Sequence, residues 1–429
     1  MRPKKHLDVG QQDLFRNRLD QIIDLNHPLS RLTKLMDWER LHKEFSPVYA
    51  DSGRAGLPIR LMVGLNLLKH IYALSDEEVC ARWIENPYFQ FFCGEIFFQH
   101  RFPIERSSLS HFRGRIKAST LETILQESLA IACALGALKL KDVKAVAVDT
   151  TVQEKNITHP TEHGLMRKAI DKLSNVARRA GIKIRQSYTR VVQKASIKVG
   201  RYIHAKQMRR ARRELKFIRV RLGRLIRDVE RKVADISQDI PIAFYDTLRK
   251  AKHIWKQKRG DPDYLYSWHA PEVECISKGK ARAPYEFGVK VSLATNLRSS
   301  GVKGKHFILH AKAFHGRPYD GHTLKRAAEN IEKIIGKLPE RFVLDEGYRG
   351  HKWEDPRTQV FLSKQKRGVT KAIKRDIKRR SVIEPIIGHA KNDGLLRRNY
   401  LKGRKGDEIN AILSGIGFNF RQITAALAV

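Results

Sequence analysis

The chain has 429 residues, 41% of them apolar and 8% aromatic, which suits two or three domains with their own cores and excludes a disordered protein. Lys and Arg number 84 against 45 Asp and Glu, giving a formal charge of +39 and a pI near 10.3. Such a field gathers polyanions and makes nucleic acid the expected partner, while the absence of any 18-residue apolar run speaks against a membrane span.

The N-terminal stretch MRPKKHLDVGQQDLF lacks the apolar core of a signal peptide. Residues 11–140 read as helical. In LPIRLMVGLNLLKHIY (57–72), Pro58 suits a first turn, and Leu61, Leu65, Leu68 and Tyr72 recur at helical spacing. SDEEVCARWIENP follows, with Ser75 and Glu78 as a capping box and Pro87 as a stop. The pair is either a DNA-reading helix-turn-helix or an ordinary bundle hairpin. SSLSHFRGRIKAS (107–119) starts on another cap and is basic. Cys80, Cys93, Cys133 and Cys275 are scattered without a CxxC pair, so they read as reduced thiols of a cytoplasmic protein, not as a zinc module or disulfide framework.

Strand character begins near Val143, in AVAVDTTVQEKN (145–156), where Asp149 reads as the end of the first strand. Further strands are expected at 285–295, 305–316, 341–347 and 358–364, with a helix over 321–338 between the third and fourth. A last helix runs from Lys371 or Ser381 to Arg397. This alternation predicts a mixed sheet covered by helices. Residues 160–260 interrupt it. From Arg167 to Arg231 basic residues outnumber acids by roughly five to one. Leu215, Ile218, Leu222, Leu225 and Val229 still keep an apolar stripe there, so the stretch is expected to be a packed helical insertion whose cationic face binds DNA or only aids solubility.

Three acids stand at element ends: Asp149, Asp345 in FVLDEGYRG, and Glu384 in RRSVIEPIIGHAK. Converging carboxylates make a hard-oxygen site for Mg²⁺ or Mn²⁺. Two such ions roughly 3.5–4 Å apart would activate a nucleophile and stabilise the leaving oxygen at a phosphate. Each acid also has a bland reading: a turn cap for Asp149, a bridge to Arg349 for Asp345, and a pair with Arg379 or Arg380 for Glu384. His322 and Thr323 (DGHTL) and His389 are weaker candidates. The basic loop Lys278-Gly279-Lys280 and Arg349 are candidate phosphate contacts. No GKS/T, HExxH or GxSxG pattern supports an NTPase, a zincin or a serine hydrolase.

On AVDTT, LDEGYRG, RRSVIEPIIGHAKNDGLLRRNYLKG and NAILSGIGFNFR, in that order, the chain resembles a DDE transposase of bacterial insertion sequences, of the insertion sequence five type. GLPIRLMVGLNLLKHIYALSDEEVCARWIENPYFQFFCGE is similar to the helical N-terminal domain that precedes the catalytic core in that family. The resemblance implies an α/β, ribonuclease-H-like mixed sheet with flanking helices. It would comprise a helical, DNA-binding N-terminal domain (1–140) and a catalytic domain (141–429) interrupted by the 160–260 insertion after the first strand. It implies Asp149, Asp345 and Glu384 as ligands of two Mg²⁺ ions. Arg380 and Lys391 would hold transposon-end DNA, in a signature whose tyrosine position is Ile377 here. Implied too are binding of terminal inverted repeats in double-stranded DNA, cleavage and strand transfer, a homodimer or larger assembly on DNA, and a nucleoid location. A nuclease of the same fold, or an inactive DNA-binding derivative, are the alternatives. Pro385 directly after Glu384 requires either a helix that begins near Ser381 or a bend at the site.

Overall fold

The computed structural model describes residues 17–52, 56–234, 241–277, 284–300 and 305–428. The chain forms two compact units, Met1–Glu154 with Gly288–Val429, and Lys155–Phe287. It is a mixed α/β protein with strands β1 (Ala145–Lys155), β2 (Glu274–Ser277), β3 (Tyr285–Asn296), β4 (Ile308–Phe314), β5 (Arg341–Leu344), β6 (Gln359–Leu362) and β7 (Arg398–Asn399). In the first unit the order is β4-β3-β1-β5-β6, with β7 also beside β1. β4, β3 and β1 are antiparallel neighbours, whereas β1, β5 and β6 run parallel. A parallel return needs a crossover, and the helix Asp320–Ile335 supplies it between β4 and β5. The mixed sheet with flanking helices is that of a ribonuclease-H-like fold.

Side chains alternate across β1. Val146 and Val148 join the large core with Phe342, Leu344 and the helix positions Leu324, Ala327 and Ile331. Ala145 and Ala147 face the other way, against Val343, Leu297 and Ile383. The N-terminal helices enter the same large core. The helix Ile59–Ile71 departs from the expected single stripe. Leu61, Leu65 and Leu68 are buried, but so are Met62, Val63 and Leu67, while Tyr72 is exposed. A helix buried all round needs neighbours on every side. One of them is the C-terminal helix Gly403–Leu427, which also packs on β4.

Glycines set that packing distance. A Cβ at Gly417 would lie 2.4 Å from the carbonyl oxygen of His70, and one at Gly415 would lie 3.1 Å from Ala311. Gly417→Val is expected to cost about 3 kcal/mol by forcing two backbones apart, read as a lower thermal midpoint. Gly415→Ala should be milder, because its neighbours are side chains.

Local signals fared unevenly. The Ser75–Glu78 capping box is present, opening the helix Asp76–Glu85. Pro87 both stops that helix and starts the next, Pro87–Phe92. The cap expected at residue 107 is absent: the helix Ser107–Arg115 follows Arg106, whose side chain caps nothing. Cys80, Cys93, Cys133 and Cys275 are free thiols. Among the described residues no helix is long and apolar enough to cross a membrane.

The second unit has a core of its own. The helices Glu162–Arg179, Thr189–His204, Met208–Ala234 and Ile242–Lys256 enclose Leu173, Val192, Val199, Ile218, Leu222, Leu225 and Val229, all fully buried. Arg212, Arg213, Lys216, Arg224 and Arg227 face solvent from the longest helix. Its apolar stripe is therefore a packed face, and its charges lie outside that face.

Candidate active site

Asp149 does not end its strand. It is the fifth residue of an 11-residue β1 that continues to Lys155. Strand length is decided by partners: β3 pairs with β1 through Glu154↔Gly288, whereas β5 accompanies it only as far as Val148↔Leu344. Asp149 thus sits where its parallel neighbour stops. Asp345 is the next residue after Leu344 and leads into a short 3-10 turn, Glu346–Tyr348. Each acid directly follows a member of one registered pair, which brings the two together.

Glu384 arrives from the face that Ala145 and Ala147 share with Ile383. The expected single last helix is two. Lys371–Arg379 ends in a 3-10 turn, Arg380–Val382, and a second helix runs Ile383–Asn392, short of Arg397. Proline has no N–H to give and crowds the preceding turn, so the break places Pro385 in a first turn, where it is tolerated. Ile377, at the signature tyrosine position, packs against the apolar cluster around Ile383.

Arg380 stands at the meeting point. Its Nη2 lies 2.9 Å from Glu384 Oε1 and 3.7 Å from Asp345 Oδ1, and its Nη1 lies 3.6 Å from Asp149 Oδ2. Its side chain is 14% exposed, against 61% for Glu384. Asp149 Oδ1 also accepts from the Thr150 N–H at 2.7 Å, and Asp345 Oδ1 accepts from the Ser363 hydroxyl at 3.0 Å. Glu346 takes Lys364 at 2.8 Å, so the local ion pair of this loop belongs to Glu346.

Burial pushes the Asp149 carboxyl up to about 6; the Thr150 N–H and Arg380 pull it down, and Asp345 and Asp320 raise it further. A raised acid keeps its proton longer in the folded state than in the unfolded chain. Asp149 therefore weakens folding as pH rises from about 4 to about 6, and the cost persists above that. Asp149→Asn should raise the thermal midpoint at pH 7–8, by an amount equivalent to about 1–3 kcal/mol, and leave it unchanged near pH 4. Melting curves across that range check the sign.

A fourth acid was missed from sequence. Asp320 opens the helix after β4, and its Oδ1 accepts from the Thr150 hydroxyl at 2.7 Å and from Lys290 Nζ at 2.7 Å. Lys290 also donates to the Pro318 carbonyl at 2.8 Å. Asp149 and Thr150 point to opposite faces of β1, so Asp320 grips the strand behind Asp149. Asp320 is the first residue of the DGHTL stretch, of which only His322 and Thr323 were singled out, and an acid opening a helix was the available signal. Thr323 donates to the Asp320 carbonyl at 2.7 Å, while His322 lies exposed against the Tyr319 ring. Tyr348 is buried nearby; burial first, then Asp149 and Asp320, holds its hydroxyl well above the ordinary tyrosine range.

Lys391 lies half-buried on the Glu384 helix, and His389 pairs with Asp393 at 2.6 Å. Arg349 is exposed, and its carbonyl accepts from the Tyr319 hydroxyl. Lys278 and Lys280 lie outside the described residues. Among the described residues no three His, Cys, Asp or Glu side chains are close enough to hold a metal as they stand. The acids instead converge on a guanidinium. Their donor set is all oxygen, and they already gather around one positive charge, which fits a hard divalent cation once Arg380 moves aside.

Residues 17–115 match a family model described as a transposase domain (DUF772). Over 207 residues, which are 48% of this chain and 100% of the relative, the chain is 46% identical to "Uncharacterized protein ORF8 in nfe locus" of Rhizobium meliloti. No solved structure matches it. With that domain at its N-terminal end and that identity along the whole of its relative, the chain belongs to a transposase family.

Proposed function

We propose that the protein is a DDE transposase of a bacterial insertion sequence, of the insertion sequence five type, acting on double-stranded DNA at the terminal inverted repeats. The observation that carries this reading is the convergence of Asp149, Asp345 and Glu384 from a strand, a strand end and a helix onto one point. These three would hold Mg²⁺ or Mn²⁺, two ions in the working complex. Bound there, the metal would activate the attacking water or 3′-hydroxyl and stabilise the leaving oxygen.

The chain's own residues do the rest. Thr150, Asp320 and Lys290 fix β1 behind Asp149, and Ser363 fixes Asp345. Arg380 and Lys391 would position the phosphate backbone, and Arg349, Lys278 and Lys280 would extend the footprint. Hydrolysis frees a 3′-hydroxyl, and that hydroxyl then attacks a target phosphate. Both steps are in-line displacements at phosphorus, so one site serves both. Joining two DNA ends calls for a homodimer or larger assembly on DNA, working at the nucleoid in the cytoplasm.

The test combines an end-containing duplex, a target duplex and Mg²⁺. Joined products support transposition. Cut but unjoined products would make the protein a nuclease of this fold, and bound, unaltered DNA would make it a binding protein only.

The second unit's exposed Arg and Lys supply non-specific affinity. If they and the site contact about 6–10 phosphates, duplex affinity should fall by about 10³–10⁵ between 50 and 200 mM salt. Charge-removing substitutions at Arg212, Arg213 and Lys216 should flatten that slope in fluorescence anisotropy. An unchanged slope would assign the unit's charge to solubility.

A further inference from the structure

We infer that Arg380 is the built-in counter-ion of the acid trio, which a divalent cation must displace and which is thereby released to a DNA phosphate. The inference rests on the metal-binding reading of Asp149, Asp345 and Glu384. Among the described residues, Arg380 is the cation with which each of these three acids forms an ion pair. A planar guanidinium with five donors suits several carboxylates at once, and no accessible pH removes its charge.

Its posture is the second observation. The side chain is folded inward, 14% exposed, while the adjacent Arg379 is 52% exposed. A residue kept solely for DNA would face outward, as Arg379 does. The 3-10 turn Arg380–Val382 sets its Cα at the junction of two helices, and its contact with Glu384 spans four residues of that junction. A divalent ion and the guanidinium therefore claim the same carboxylate oxygens. When the ion takes them, the guanidinium needs another oxyanion, and phosphate matches its fork. Coupling of this kind is reciprocal: metal strengthens the grip on DNA, and DNA strengthens the hold on metal.

The experiment compares Mn²⁺ affinity, by calorimetry, for the full-length protein and for Arg380→Met and Arg380→Lys, each checked for a native circular-dichroism spectrum. Arg380→Met should bind Mn²⁺ at least about tenfold tighter, and Arg380→Lys, which keeps a cation, should stay near the original. Equal or weaker binding by Arg380→Met would overturn displacement while leaving the metal reading standing. No Mn²⁺ binding by any of the three would sink the metal reading itself. A second measurement needs no variant. Ca²⁺ should tighten binding of the unaltered protein to a short duplex by about tenfold at constant ionic strength. No tightening would overturn the release of Arg380 to phosphate.

Discussion

On the proposed reading, Asp149→Asn, Asp345→Asn and Glu384→Gln should each lower DNA strand cleavage by about 10³-fold or more, since the metal they would hold would supply several kcal/mol of transition-state stabilisation. Measured without divalent metal, duplex affinity should stay within about twofold or rise slightly, because each change removes a negative charge that repels phosphate. Cleavage kinetics on an end-containing duplex and anisotropy on the same duplex separate the two effects. The three losses should not add, because the acids act as one unit. Full activity in any one variant would remove that residue from the site. Asp149→Asn carries a second signature, since the same change that abolishes chemistry should stabilise the fold above pH 6. On the proposed reading, Asp149 is a carboxylate held against its solvation preference, a stability cost kept for function.

Asp376→Ala should destabilise the protein by about 2–4 kcal/mol and lower cleavage with it. Asp376 is fully buried, accepts from Arg298 at 2.9 and 3.0 Å through both carboxylate oxygens, and accepts from Arg341 at 2.8 Å. Removing it strands two guanidinium groups that remain only partly solvated. The lower end of the range reflects that partial exposure. Arg341 starts β5 and Arg298 follows β3, while Asp376 lies four residues before Arg380. One buried carboxylate thus ties the helix that delivers Arg380 to the sheet that delivers Asp149 and Asp345. Asp376→Asn keeps the shape without the charge and should lose less stability. If Asp376→Ala melted normally, the tie would be cosmetic.

The order of strands and helices was legible because each core strand carries its own apolar run, and the Ser75 box was legible because a cap is a local device. Asp345 at a strand end was legible for the same reason: EGYRG cannot continue a strand. Asp149 was misplaced because the length of β1 is set by β3, more than 130 positions away, and not by anything in AVDTT. The break at Arg380–Val382 was foreshadowed only by Pro385. Asp320 was overlooked because its significance lies in Thr150 and Lys290, which adjoin it only in the folded sheet. The all-round burial of Ile59–Ile71 escaped periodicity because a helix enclosed by neighbours has no polar face to alternate with.

The seating of Gly403–Leu427 against both Ile59–Ile71 and β4 carries a consequence for synthesis. One apolar cluster runs from Leu29 to Leu427, so the earliest helices made share their interior with the last. On the ribosome those helices must wait, apolar faces open, through some three hundred further residues. Contacts of such sequence separation form late and slowly. A chain halted before residue 403 would leave the Ile59–Ile71 helix uncovered and prone to aggregate until residues 403–427 arrive to cover it.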